Sequence, residues 1–169
     1  LNSLAYDPSM VRDYLSYTLS SNMGNYAPRV KYIEVIVNDD YKGVYILTEK
    51  IKRDSDRVNL KKIADFDNTA PEVTGGYIVK ADKINGDDEV AWTMPNSGGW
   101  ETNFLHHYPK TEDITGQQAD YIENIFYDLA TQTNPANTSI SDGYPSIIDI
   151  PSFVDYMIMA EFASNPDAY

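Results

Sequence analysis

The chain has 169 residues, which is enough for one ordinary hydrophobic core, so one domain or part of one is expected. A net charge of −13 argues against nucleic acid as a partner, because phosphate backbones are bound by basic surfaces, and it favours basic protein partners. The absence of cysteine excludes disulfides, thiolate metal sites and a cysteine nucleophile. No apolar run approaches the ~18 residues that a membrane span needs.

The first part of the chain has the pattern of one helix followed by strands. Asp7 and Pro8 are suited to the N-cap and the first turn, and apolar residues at helical spacing predict a helix over residues 8–23. Gly24 then stands where a helix commonly ends. A β-hairpin is predicted over residues 30–50. Further strands are predicted over residues 76–82, 90–94 and 100–108.

The second part of the chain changes to a helical period. An amphipathic helix is predicted over residues 116–131, and a turn-rich loop follows over 133–145. Asp149 caps a third predicted helix over 151–163. Its apolar stripe consists of Phe153, Val154, Met157, Ile158 and Phe162. One helix, a run of antiparallel strands and then helices predict an α+β fold with an antiparallel sheet.

Charged residues are concentrated at the end of the predicted hairpin. Glu49 stands beside Lys50, Lys52, Arg53 and Arg57. One interpretation is an edge strand whose solvated charges oppose edge-to-edge pairing. Because adjacent strand residues point to opposite faces, Glu49 is expected to pair with a lysine of another strand rather than with Lys50.

A run of residue types follows from the hairpin turn into this charged segment: Asn38, Tyr41, Gly43, Val44, Tyr45, Leu47, Thr48, Glu49, Lys50, Ile51, Arg53, Arg57 and Val58. This order resembles the spore coat protein H (CotH) kinase family. The resemblance extends through the glycine-led segment 75–80 to residues 155–169, and a start similar to the family's helix is found at residues 9–15, so nearly the whole chain is covered. The specific part of the resemblance is the run from Asn38 to Lys50, and the other matching pieces are weak when taken alone.

The resemblance implies an atypical protein-kinase fold in a secreted or surface protein, and therefore an extracytoplasmic location. It implies transfer of the ATP γ-phosphoryl group, with Mg²⁺ or Mn²⁺, to serine or threonine of a protein substrate, expected to be basic and serine-rich. Residues 1–169 would form a single partial domain. Residues 1–110 would be a sheet-rich small lobe, and residues 111–169 the helical beginning of a large lobe.

Phosphoryl transfer needs bases for the nucleotide phosphates, carboxylates for metal and a carboxylate near the acceptor hydroxyl. Under the resemblance, the strand-end lysines Lys50 and Lys80 contact phosphate, Arg53 adds a contact, and Glu49 orients a lysine or holds metal. Asp167, in an Asn-Pro-Asp context, is the expected catalytic-loop aspartate and metal ligand. The alternatives are solvated surface cations and an ordinary turn aspartate after a helix.

Other groups of residues give weaker evidence of a functional site. His106 and His107 are neighbours in an extended run, so they face opposite sides and are not expected to share a metal. The acidic residues at 54–56 and 87–89 are interpreted as hydrated loops rather than calcium sites. A Walker-type glycine-rich loop is absent.

We expect this sequence to be a piece of a longer protein, truncated at both ends. It lacks an initiating methionine, and it stops two residues after Asp167, before the downstream asparagine and the second metal-binding aspartate of the family. The piece is therefore expected to be inactive alone. It is also expected to leave the apolar stripe of residues 151–163 partly uncovered, which predicts self-association. The alternative function is a non-catalytic cell-surface interaction or adhesion module with the same fold.

Overall fold

The computed structural model describes residues 1–3, 5, 7–96, 98–133 and 136–165. The chain forms two compact units, Leu1–Ile51 with Asp149–Tyr169, and Lys52–Ile148. Helices and small antiparallel sheets make up both units, so the predicted α+β class is confirmed. A division into kinase-like lobes near residue 110 stays a prediction.

The elements follow the predicted order along the chain. Short 3₁₀ turns lie at Glu72–Thr74 and Tyr144–Ser146. The helices and strands are α1 (Arg12–Asn22), β1 (Val30–Val37), β2 (Asp40–Thr48), β3 (Ile78–Ala81), β4 (Trp92–Pro95), β5 (Glu101–Tyr108), α2 (Gly116–Thr133) and α3 (Ile150–Ala163).

Helix α1 begins four residues later than the sequence pattern predicts. Met10 has a left-handed φ of 57°, so residues 8–10 form a turn instead of the first helical residues. Asp7 nevertheless contributes to the helix start, because its Oδ2 accepts the backbone N–H of Arg12 at 2.9 Å. The end of the helix is as predicted, with Gly24 at a φ of +92° directly after the C-cap residue.

The predicted hairpin is formed by β1 and β2, which are joined by a tight turn. Asn38 and Asp39 are its two loop residues, with φ values of 51° and 61°, as a two-residue hairpin turn requires. The pairing then shifts register, since Val35 pairs with Gly43 but the next residue pairs with Tyr41. Gly43 accommodates this bulge with a φ of +101°. On its other edge, β2 bonds to Asn2 through Ile46.

Helix α3 packs against α1 in the first unit. Asp149 caps it by accepting the backbone N–H of Ser152 at 3.3 Å, as predicted. The face toward the unit interior includes Ala160, which is buried, and Asp155, which accepts a hydrogen bond from Asn25 at 2.8 Å. The predicted apolar stripe lies on the exposed side of the helix, so it is partly uncovered, as expected from the sequence.

The second unit contains a three-stranded antiparallel sheet in the order β3-β5-β4. Its core includes an aromatic cluster, in which Trp92 is stacked on Phe104 at a centroid distance of 5.1 Å. Phe126 of α2 packs against both rings. These strands do not join the β1–β2 hairpin in the described part of the chain, so the strands divide into two small sheets rather than one.

A buried polar side chain fixes the connection into α2. Gln118 is almost fully buried, and its Nε2 donates to the carbonyl oxygens of Ala64 at 2.6 Å and Asp67 at 3.3 Å. Its Oε1 accepts the backbone N–H of Thr115 at 3.3 Å. Since a buried amide must satisfy its donors and acceptors, these bonds hold the 64–67 loop to the start of the helix.

Candidate functional site

Lys80 forms a part-buried ion pair in the second unit. The residue lies on β3, opposite Leu105 of β5, whose side chain is buried. The Lys80 ammonium donates to both carboxylate oxygens of Asp88, at 3.2 and 3.3 Å. The two side chains are 34% and 29% exposed, so the pair is partly shielded from solvent.

Asp88 reaches Lys80 because the chain makes a turn at residues 85–88, in the loop that follows β3. The backbone N–H of Asp88 donates to the carbonyl of Asn85 at 3.1 Å, and Gly86 adopts a left-handed φ of +56°. The Asn85 backbone N–H donates in turn to Asp88 Oδ2 at 3.3 Å. The sequence interpretation of residues 87–89 as a hydrated loop missed this partner. The Asn-Gly turn signal was the feature that could have found it.

Glu49 is paired with an arginine, Arg29. It directly follows β2, and its carboxylate accepts from Nε of Arg29 at 3.1 Å, from Nη2 and from the Arg29 backbone N–H at 3.3 Å. The Glu49 side chain is 10% exposed, whereas that of Arg29 is 72% exposed. Glu49 thus holds the open end of the hairpin together, and the next residue, Lys50, is exposed.

Arg53 belongs to the second unit and packs against the sheet. Its guanidinium carbon lies 5.4 Å from the ring centroid of Tyr108, at cation–π distance. Nη1 also donates to the carbonyl of Leu60 at 3.5 Å. Tyr108 pairs with Ile78, so Arg53 and Lys80 are both associated with the β3–β5 strand pair.

The candidate residues therefore divide between the two units. Glu49 and Lys50 lie in the first unit, and Arg53 and Lys80 in the second. Asp167 lies outside the described residues. The roles assigned to all five stay predictions.

His106 packs within the aromatic core of the second unit. Its ring lies 5.7 Å from that of Trp92, and burial lowers the pKa of the imidazole. Among the described residues, no group of three or more His, Asp or Glu side chains is arranged to hold a metal ion. Within the same ranges, every helix is too short or too polar to cross a membrane.

The family of the chain follows from comparison with known proteins. No curated protein and no solved structure matches it. The sequence model of the family described as CotH kinase protein matches residues 1–169, which is the full length given. The chain therefore belongs to the CotH kinase protein family.

Proposed function

We propose that the protein is an extracytoplasmic atypical protein kinase that phosphorylates serine or threonine of a protein substrate. Membership of the CotH kinase protein family over residues 1–169 is the observation that carries this proposal. In the reaction, the bond from the ATP γ-phosphorus to its bridging oxygen breaks, and a bond to the acceptor hydroxyl oxygen forms. ADP leaves, and the hydroxyl proton passes to a base, a role for which Asp167 is the candidate.

Lys80 is the best candidate for the phosphate contact. Phosphate groups require a cation near them, and Lys80 offers an ammonium that is one third exposed and held in place at a strand end. Arg53, which lies in the same unit as Lys80, would add charge to the same task, whereas Lys50 keeps only the role that the family resemblance suggests. Glu49 already bonds Arg29, so it would act on the nucleotide through that arginine.

ATP is expected to act with Mg²⁺ or Mn²⁺, which offsets the negative charge of the phosphates. Asp167 is the metal ligand that the family resemblance suggests. The described residues supply the lysine and arginine cations but no cluster of metal-binding side chains, so their fit is to the nucleotide phosphates.

The substrate is proposed to be a basic, serine-rich protein. The chain has a net charge of −13, and a negative field attracts positively charged partners over distances of about one Debye length, ~8 Å at physiological salt. Raising the salt concentration should therefore increase KM for such a peptide more than it changes kcat.

Transfer of label from γ-labelled ATP tests the proposal. The assay uses the longest natural polypeptide that contains this chain, with Mn²⁺ or Mg²⁺ and a basic serine-rich peptide as acceptor. Lys80→Ala and Asp167→Ala should each reduce incorporation by about a hundredfold or more. Lys83→Ala is the matched control, because Lys83 is an exposed lysine three residues from Lys80, and it should retain wild-type activity.

Two outcomes would contradict the proposal. Absence of incorporation with either metal would favour the alternative of a non-catalytic cell-surface interaction module. Equal incorporation by wild type and Asp167→Ala would remove the role given to that residue.

A further inference from the structure

The geometry points to Asp88 as the residue that positions Lys80 for phosphate, a role that rests on the proposed phosphoryl transfer. Asp88 was not among the residues that the sequence pattern singled out. It differs from an ordinary surface partner of a lysine in its contacts, its shielding and its own anchoring.

The contact is made through both carboxylate oxygens. Distances of 3.2 and 3.3 Å from Nζ to Oδ1 and Oδ2 engage two of the three N–H donors of the ammonium. The third donor remains for a phosphate oxygen. A lysine held in this way can bind phosphate without leaving its carboxylate.

The pair is more shielded than two other lysine pairs in the described part of the chain. Side chains of the Lys110–Glu112 pair are 68% and 67% exposed, and those of Lys42–Asp40 are 44% and 66% exposed. Those partners are also only two residues apart. The Lys80–Asp88 pair instead joins a strand to the loop that follows it, across eight residues.

Both partners are anchored to the backbone. Lys80 lies in the paired part of β3, and Asp88 Oδ2 accepts the Asn85 N–H within the turn. A lysine side chain has a flexible four-carbon stem, so an unrestrained ammonium would occupy many positions. Fixing it near one position reduces the entropy lost when phosphate binds, and misplacement by 1 Å can cost about a hundredfold in rate.

The other candidate carboxylate has a different partner. Glu49 accepts three hydrogen bonds from Arg29 in the first unit. The assignment of Asp88 to Lys80 rests on its own two contacts with the ammonium.

Substitution of Asp88 tests the inference. Asp88→Asn keeps the shape and the acceptor for Asn85 but loses the charge, and it should lower kcat/KM for ATP by about ten- to a hundredfold. Asp88→Glu restores the carboxylate and should recover most of that loss. Asp87→Asn is the matched control, because it removes a neighbouring charge that is exposed, and it should leave the kinetics unchanged.

Labelling of lysine amines provides a readout that does not depend on turnover. In the native protein, an acylating reagent followed by mass spectrometry should modify Lys80 more slowly than Lys83. Asp88→Asn should accelerate modification at Lys80 alone, with an unchanged unfolding midpoint. A merely structural role would lower the midpoint and affect both lysines.

The outcomes separate the two proposals. If wild type transfers phosphate and Lys80→Ala does not, but Asp88→Asn behaves as wild type, the positioning role is overturned and the kinase stands. If Asp88→Asn leaves the Lys80 labelling rate unchanged, the pair does not restrain the amine and the inference also fails. An inactive wild-type protein overturns the proposed kinase and, with it, the role of Asp88 in transfer.

Discussion

Gly76 lies where two chain segments cross with no room for a side chain. A Cβ at this position would lie 2.1 Å from the carbonyl oxygen of Lys61 and 3.0 Å from Cβ of Leu60. The first contact is with backbone, so relief would require the crossing segment to move. Steric exclusion thus accounts for the glycine that precedes β3.

Gly76→Ala should destabilise the protein by about 1–3 kcal/mol, the usual cost of overpacking. Urea unfolding monitored by tryptophan fluorescence would measure the change. Gly116→Ala is the matched control, since a Cβ there would meet nothing within 4 Å, and it should show no loss. Equal midpoints for Gly76→Ala and wild type would show that the crossing is looser than described.

His106 should make stability depend on mildly acidic pH. Burial lowers the pKa of its imidazole below the ordinary value of 6.5. As the pH falls through 6.5, the unfolded chain therefore binds a proton that the folded chain resists. Because the unfolded state then binds more protons, the free energy of unfolding decreases from pH 7 toward pH 5.

Denaturant unfolding at pH 7 and pH 5 tests this dependence. His106→Gln should lose less stability between the two pH values than wild type does. His107→Gln removes the adjacent imidazole on the other face of β5 and serves as the comparison. A decrease in His106→Gln as large as in wild type would assign the acid sensitivity to other groups.

At the scale of elements, the β1–β2 turn is strained at a residue other than glycine. Asp39 has a φ of 61°, a left-handed conformation that glycine adopts without a Cβ penalty. Asp39→Gly produces the Asn-Gly pair that such turns prefer, so it should stabilise the hairpin by about 0.5 kcal/mol.

The matched control for the turn is Asp40→Gly. Asp40 is the first residue of β2, where glycine brings no conformational gain, so this variant should be less stable than wild type by about 0.5 kcal/mol. Thermal unfolding would rank the three proteins. Stabilisation by both glycines, or by neither, would contradict the turn geometry.

The spacing of apolar residues was sufficient to predict most helices and strands, because the period of each element is set by residues that are close together in the sequence. It did not predict the buried face of α3. Apolar residues lie on both sides of that helix, and the small Ala160 packs inward while Phe153 and Ile158 are exposed. The start of α1 was missed because the left-handed Met10 has no sequence signal.

Contacts across the chain were harder to predict than elements. Lys80 was singled out from its strand-end position, but its partner Asp88 depends on how a loop folds back. The arginine partner of Glu49 depends on the hairpin register, which joins residues twenty positions apart. Such pairings are set by tertiary structure. The sequence pattern therefore indicated which side chains could take part in the reaction, but not the residues that they contact.

At the scale of the whole molecule, an exposed apolar surface coexists with a high net charge. Along α3, side chains at helical spacing are between 43% and 56% exposed, and the charge of −13 opposes their association. Contiguous apolar surface of this kind commonly associates. Residues of the stripe are Phe153, Val154, Met157, Ile158 and Phe162.

A polypeptide of residues 1–169 should self-associate with increasing concentration, and more strongly at high salt, which screens the charge. Sedimentation velocity would measure the mass. Phe153→Gln combined with Ile158→Gln should weaken association. Ile140→Gln, at an isolated residue that is 86% exposed, should not. A monomer at high concentration and high salt would contradict this expectation.

Ile46 offers a local probe of the first residues of the chain. Its side chain is fully buried, its N–H donates to the Asn2 carbonyl at 3.0 Å, and its carbonyl accepts from Asn2 at 2.9 Å. The protection of this single amide against deuterium therefore reports whether residues 1–3 are docked on the hairpin. Exchange at Ile46 faster than at the amides that bond β1 to β2 would reveal detachment of this segment while the hairpin itself stays folded.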